Sequence, residues 1–318
     1  MSQELVKTNH LFFFTSEFPF GKAETFIETE ILYLSKSFKN ITIITHDILT
    51  ISRRKIPKNV KVLRLRYPAN TAEKIFSLRF LFRKIFWNEV KLIHKKLNLN
   101  IDFGRIKTLL VSLQNATRLK AEYLKVLDIL QYSNEIYYSY WLNDSALALS
   151  MLKSEHSNKK FISKMHRWDI YFEENKYGYL PMRSFMLNSL DCVYSISADG
   201  IRYTKSLFSS DFPNLKLSKL GIKEQIVENQ PKLNKFMIVS CSNVIDVKRV
   251  QLIAESISFL KIQNLNWTHF GDGPKLSELL NFCNAKLKNK VNFNFPGRVS
   301  NDEVIKFYKK HHIDLFIN

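Results

Sequence analysis

Short apolar runs of strand length alternate with longer stretches in which apolar residues recur every three or four positions, and the alternation extends over almost the whole chain. Leu11–Phe14, Asn40–Thr45 and Val60–Leu65 predict three strands, and Glu24–Ser37 carries helical spacing through Phe26, Ile27, Ile31, Leu32 and Leu34. After a less regular, mostly helical region reaching about Leu130, strands are predicted at Asn134–Trp141, Lys160–Met165, Leu190–Ser197 and Asn214–Gly221. Helices are predicted at Asp144–Lys153 and Ala198–Phe208. Residues 222–235 are polar and contain Pro231, which marks a linker. Beyond it the pattern restarts. A strand at Phe236–Asn243 leads to a helix through Val250, Ile253, Ala254, Ile257 and Leu260, then a strand from Trp267 that ends in a glycine turn. A helix on Leu276, Leu279, Leu280 and Cys283, a strand at Val291–Gly297, a serine-capped helix from Ser300 and a strand at Asp314–Asn318 follow. Strands separated by helices on both sides of the linker predict an α/β protein of two doubly wound, Rossmann-like domains, 1–221 and 236–318, facing each other across a cleft.

In such sheets, ligands sit at the carboxyl ends of the strands, and this selects the candidate residues. Lys248 and Arg249 fall in the turn after the Phe236 strand, and Gly271-Asp272-Gly273-Pro274 ends the next one. A lysine beside a helix N-terminus suits a diphosphate, because free N–H groups and the positive end of the helix dipole favour anions. A surface lysine beside an ordinary glycine turn is the competing reading. Gly21, in the loop after the first strand, either lets a ligand approach the backbone or simply turns the chain. His166 leaves a buried strand at the same edge, where an imidazole can donate or accept a proton at a substrate. A histidine that caps the next loop is the alternative. His311 and His312, at a helix C-terminus, suit the dipole better than a metal.

Composition adds three constraints. Cys192, Cys241 and Cys283 are widely spaced with no CxxC, so they read as small core residues rather than as a zinc site or disulfide staples. A mean hydropathy of -0.18 and the absence of any apolar run near membrane-spanning length argue against a transmembrane helix, and the N-terminus lacks the form of a signal peptide. The expected location is therefore the cytoplasm. The formal net charge is +19, and between Arg53 and Lys120 there are 18 Lys/Arg against 3 Asp/Glu. Within that region, segment 72–96 mixes basic residues with Phe76, Phe80, Phe82, Phe86 and Trp87, a composition suited to lying on an anionic membrane surface at its cytoplasmic face. Nucleic acid and a solvated basic face over a buried aromatic stripe are the competing readings.

Taken as an ordered set, Phe18-Pro-Phe-Gly21-Lys-Ala-Glu24-Thr-Phe-Ile27-Glu28, His166-Arg-Trp-Asp169, Ser195-Ile-Ser197, Lys248-Arg249, Gly271-Asp-Gly-Pro274 and Phe295-Pro-Gly297-Arg-Val to Tyr308 resemble the family 4 retaining glycosyltransferases of GT-B fold. The likeness is to bacterial enzymes of capsule, exopolysaccharide and lipopolysaccharide assembly. It implies transfer of a sugar from a nucleotide diphosphate sugar to a glycan or lipid-linked acceptor, with retention of configuration and no metal or other cofactor. It places His166 at the donor sugar, Gly21 near diphosphate and acceptor, Lys248 and Arg249 at the diphosphate, and the Gly271–Gly273 turn near the nucleoside. Two departures stand out. The arginine usual five residues before the lysine is Asn243 here, and the family's two-glutamate motif would begin just past Asn318, so a truncated second domain is expected. A sugar nucleotide epimerase of related architecture and an inactive binding protein of the same fold are the alternative functions.

Overall fold

The structure is a computed structural model that describes residues 8–21, 23–46, 53–65, 76–129, 134–222, 224, 230–231, 234–288 and 290–317. Lys22, most of the 222–235 linker, residues 72–75 of the basic segment and Asn318 lie outside the described residues. The chain divides into two units, Met1–Lys223 and Glu224–Asn318.

Unit 1 is built on a parallel sheet of seven strands, β1 Thr8–Phe14, β2 Phe38–His46, β3 Val60–Leu65, β4 Glu135–Ser139, β5 Lys160–Met165, β6 Cys192–Ser195 and β7 Leu215–Leu217, in the spatial order β3-β2-β1-β4-β5-β6-β7. Strand order reverses between β1 and β4, so the loops after Phe14 and Ser139 diverge there and open the sheet's carboxyl edge. The continuous apolar run of β1 reflects burial on both faces, because successive side chains point to opposite sides. Leu11 and Phe13 join Ile27 and Ile31 of helix α1 (Ile27–Ser37) on one face, whereas Phe12 and Phe14 join the core under the helices of the other. That second layer comprises α2 Lys84–Lys95, α3 Phe103–Ile129, α4 Asp144–Lys153 and α6 Arg183–Ser189, with the short α5 Arg167–Ile170 before it and α7 Ala198–Phe208 after.

Two expectations change here. Helix α1 begins at Ile27 rather than Glu24, because Glu24 has a positive φ of 58° and turns its carboxylate back into the preceding loop. The expected strand at Asn214–Gly221 contracts to Leu215–Leu217 at the sheet edge.

Unit 2 carries a parallel sheet of β8 Phe236–Cys241, β9 Leu265–Phe270, β10 Val291–Gly297 and β11 Leu315–Ile317 in the order β10-β9-β8-β11, with helices α8 Val250–Phe259, α9 Leu276–Lys286 and α10 Asn301–Lys310. Ile238 and Trp267 pack under α8 and α9, while Met237, Val239 and Phe270 meet Val304 of α10 on the opposite face. The capping box at Ser300 is present, with Glu303 Oε2 accepting the Ser300 N–H at 2.8 Å and the Ser300 hydroxyl accepting the Glu303 N–H at 3.3 Å. Among the described residues no helix is long and apolar enough to cross a membrane.

Candidate active site

The loop after β1 is shaped by one carboxylate. Glu24 accepts the backbone N–H groups of Ser16 at 2.9 Å and of Glu17 and Phe18 at 2.7 Å, and it also accepts the indole N–H of Trp141. Four donors on one largely buried carboxylate fix the loop's path, since each would otherwise lose its water without a partner. Gly21 sits inside this loop at φ +67°. A Cβ there would meet only the flexible end of the Glu17 side chain, so it is the left-handed backbone that calls for glycine.

His166 leaves β5 in extended conformation and starts α5. Asp169 holds this turn: its carboxylate accepts the His166 N–H and, at 2.9 Å, the N–H of Leu142, while its backbone carbonyl accepts Nε of Arg183 at 2.9 Å. The His166 ring lies 4.6 Å from the ring of Tyr140 and 4.3 Å from that of Trp141, centroid to centroid. It is 5% exposed and its side chain faces the Asp169 N–H in the arrangement of a capping box, but among the described residues neither ring nitrogen reaches hydrogen-bond geometry with a partner; the buried Tyr140 hydroxyl beside it has none either. Burial, reinforced by the nearby Lys164 cation, pushes the His166 pKa down to about 3. Below the ring, burial raises the Asp169 carboxyl to about 7, against the opposing pull of Arg183. A neutral imidazole can donate one hydrogen bond and accept another without bringing charge, and Tyr140 can do the same. Gly21 and His166 are thus linked through Trp141, whose ring lies tilted at 54° against the histidine and which donates to the carboxylate that shapes the glycine's loop.

Beside this cluster, still within unit 1, a cavity of about 570 Å³ opens between α3 and the segment 168–183. Trp168, 45% exposed, and Tyr177, 37% exposed, offer aromatic faces, and Lys107, Asn115, Asp144 and Arg183 supply polar groups. Asp144 accepts from the Ser112 hydroxyl at 2.5 Å and the Asn115 amide at 2.8 Å, and burial raises its pKa. Trp168 lies 5.3 Å from Trp141, which joins the cavity wall to the His166 cluster. Aromatic faces next to amides and a carboxylate bind a polyhydroxylated ring well, stacking on its C–H face and pairing with its hydroxyls. Sequence reading missed this cavity, because its residues come from β2, α3, α4, α5, α6 and the loop between the last two. The aromatic repeat Trp168, Tyr177, Tyr179 was its one visible signal.

In unit 2 the loops after β8 and β9 are knitted together. Val244 N–H donates to Asp272 O at 3.0 Å, and Lys275 N–H to Val244 O at 3.2 Å. A Cβ on Gly271, whose φ is +148°, would fall 1.8 Å from Ser242 O, and one on Gly273 would fall 2.3 Å from Val244 O. Both glycines are therefore required by close backbone approach. A buried chain supports the same edge: Trp267 Nε1 donates to Ser240 Oγ at 2.9 Å, Ser240 Oγ pairs with His269 Nδ1 at 2.8 Å, and His269 Nε2 meets Ser242 O at 3.1 Å. Burial lowers the His269 pKa. Lys248 ends the short 3-10 turn Asp246–Lys248 and is exposed; among the described residues it has no ion pair. Arg249, at φ 50°, precedes α8 and lines a second cavity of about 390 Å³ with Asp246, Lys275 and Glu278. Lys248 does not line that cavity. No group of His, Cys, Asp and Glu among the described residues is arranged to hold a metal ion.

No protein-family profile matches the chain, and no curated protein does. Solved structures do. The apo form of the lipopolysaccharide outer core galactosyltransferase WaaB is 12% identical with a TM-score of 0.56, and the match covers 97% of this chain and 73% of that one. TarM of S. aureus, solved with UDP and α-GlcNAc-glycerol, is 10% identical at a TM-score of 0.53, covering 96% and 80%. HepE of Anabaena, solved with UDP and glucose, is 12% identical at 0.53, covering 96% and 73%. Two parallel Rossmann-like units in sequence and these structural likenesses give one conclusion: the chain has the GT-B fold of glycosyltransferases.

Proposed function

We propose that the chain is a retaining glycosyltransferase of family 4 type that moves a sugar from a nucleotide diphosphate sugar to a glycan or lipid-linked acceptor during surface polysaccharide synthesis in the cytoplasm. The observation that carries this reading is His166, buried and neutral with both ring nitrogens unpartnered, at the carboxyl edge of the unit 1 sheet. Buried polar atoms are rarely left unpaired, so an unpaired pair of them at a ligand edge points to a partner supplied by substrate. In this reading His166 and Tyr140 bond the donor sugar, and the cavity between Trp168 and Tyr177 takes the terminal sugar of the acceptor. The diphosphate charge falls to Lys248, Arg249 and loop N–H groups, with the Gly271–Gly273 turn close to the nucleoside. Fixed donors of this kind stabilise a departing diphosphate where its charge grows. The structural likenesses support the nucleotide sugar donor through HepE and TarM, both solved with UDP.

The test incubates the protein with radiolabelled nucleotide sugars and membrane lipid extract, beside His166→Phe. Label passing to lipid or glycan with the wild type, and at least a hundredfold less with the variant, is the expected result. Transfer by the variant at the wild-type rate would overturn the role of His166. Sugar nucleotide turnover that needs no acceptor would replace the transferase reading with the epimerase one, and donor binding without turnover would leave a binding protein.

A further inference from the structure

Between Phe76 and Phe103 lie exposed apolar and basic residues that the transferase reading does not use. The sequence places five aromatic residues in the 72–96 segment, and the structure sorts those it describes into two sets. Phe80 and Phe86 are core residues, at 6% and 2% exposure. Phe76, Phe82 and Trp87 face outward at 61%, 91% and 51%, with Leu78 at 50%, Ile101 at 49% and Phe103 at 82%. Helix α2 makes the same division: Phe86, Glu89, Val90 and Ile93 are buried, whereas Lys84, Trp87, Asn88, Lys91, His94 and Lys95 form an exposed stripe at helical spacing. The Trp87 indole donates to Leu81 O at 2.7 Å, which fixes the ring beside the Phe82 turn.

The charge of this face is mostly of one sign; its exposed acid, Asp102, is paired with Arg105 at 2.8 Å. Arg79, Arg83, Lys84, Lys91, Lys95 and Lys96 are all exposed. The one acid between Phe76 and Lys96, Glu89, is turned inward, where it accepts from the Tyr179 hydroxyl at 2.8 Å and the Met182 N–H at 2.9 Å. Burial raises the Glu89 pKa, so it adds little negative charge toward the surface. A second copy of the chain would meet this face with like charge, which disfavours self-association. Nucleic acid would satisfy the cations, yet Leu78 and Ile101 have no use against phosphates or base planes. An anionic bilayer satisfies both sets, since apolar side chains enter the headgroup–acyl boundary while the surrounding cations stay at the lipid phosphates.

We infer that the face formed by Phe76, Leu78, Phe82, Trp87 and Phe103 and the basic residues around them is a docking surface for an anionic lipid bilayer, which it enters only to interfacial depth. The inference stands independently of the transferase reading. A face of this kind keeps unit 1, with the His166 cluster and the neighbouring cavity, at the membrane surface.

The test is sedimentation of the intact protein with vesicles of phosphatidylcholine alone and of phosphatidylcholine mixed equally with phosphatidylglycerol. Binding to the mixed vesicles is expected, with little to the neutral ones. Each exposed cation near the surface contributes roughly a fivefold factor, so Arg83→Gln, Lys84→Gln and Lys91→Gln together should weaken binding by about a hundredfold. Phe82→Ser with Trp87→Ser should weaken it at least tenfold at unchanged charge. These residues are exposed, so both variants should retain the wild-type melting profile. As a measurement free of any folding question, vesicles with brominated acyl chains should quench the tryptophan fluorescence of the wild type, and Trp87→Phe should lose most of that quenching. Equal binding to neutral vesicles, full binding by Phe82→Ser/Trp87→Ser, or no quenching by brominated chains would each overturn the inference. So would a duplex oligonucleotide that displaces the protein from vesicles and binds the Phe82→Ser/Trp87→Ser variant as tightly as the wild type.

Discussion

Replacing His166 with phenylalanine should stabilise unit 1 while abolishing its proposed chemistry. Phenylalanine keeps a flat ring between Tyr140 and Trp141 and removes two buried nitrogens that have no partner among the described residues. Leaving a buried polar group unpaired costs about 1–3 kcal/mol, so the variant should gain about that much near neutral pH. The pH dependence is the sharper signature. His166 is held neutral in the folded chain, with its pKa depressed from 6.5 to about 3. In that interval the unfolded chain binds a proton that the folded chain refuses, so wild-type stability falls as the medium is acidified below 6.5. At about pH 5 the loss is 1.5 pK units, or about 2 kcal/mol. Phenylalanine does not titrate, and Asp169 titrates in both chains, so the difference isolates the histidine. The variant's advantage should therefore widen from about 1–3 kcal/mol near neutrality to about 3–5 kcal/mol at about pH 5. Urea unfolding followed by tryptophan fluorescence, at several pH values and without ligand, measures this directly. A variant less stable than wild type at neutral pH, or a gap that does not widen on acidification, would refute the assignment of a buried, neutral, unsatisfied imidazole.

Glu24→Gln should lower the stability of unit 1 by about 2–4 kcal/mol in the same unfolding assay, because an amide nitrogen turned toward backbone N–H groups leaves donors unpaired. In unit 2, Gly271→Ala and Gly297→Ala form a matched pair. Both glycines have positive φ, but the new Cβ of the first would strike Ser242 O at 1.8 Å, whereas the second has nothing within 4 Å. Gly271→Ala should cost about 2–5 kcal/mol and Gly297→Ala about 1–2 kcal/mol in thermal unfolding, and equal costs would rule out the packed-loop explanation.

Much of the fold was legible because parallel strands buried on both faces leave continuous apolar runs, as Leu11–Phe14 and Phe236–Val239 do. Gly271 and Gly273 were legible as a pair for a related reason, since a tight approach of two backbones excludes any side chain. Glu24 was misread as a helical residue because its role depends on Trp141, 117 positions away, and local periodicity carries no trace of such a partner. Asp169 likewise closes onto Leu142, 27 positions back. The basic aromatic segment was legible as a composition but not as a surface. Whether Phe80 or Phe82 faces solvent depends on the register of a six-residue 3-10 turn, which the alternation of residue types does not fix.

The same long-range carboxylates explain why the unpaired atoms of His166 carry meaning. Around the ring, nearly every polar group is accounted for: Glu24 takes four donors, the Trp141 N–H is one of them, Asp169 takes two backbone N–H groups, and the Ser139 hydroxyl donates to Trp141 O at 2.7 Å. A loosely formed region would scatter unsatisfied groups throughout. Here the two nitrogens of His166 and the hydroxyl of Tyr140 lie together, on rings 4.6 Å apart at the edge where an open parallel sheet receives its ligand. The loops on either side are rigidly held by charge-assisted bonds, so the chain cannot relax to pair these atoms among themselves. A neutral imidazole beside a phenol presents the balance of donors and acceptors that sugar hydroxyls complement.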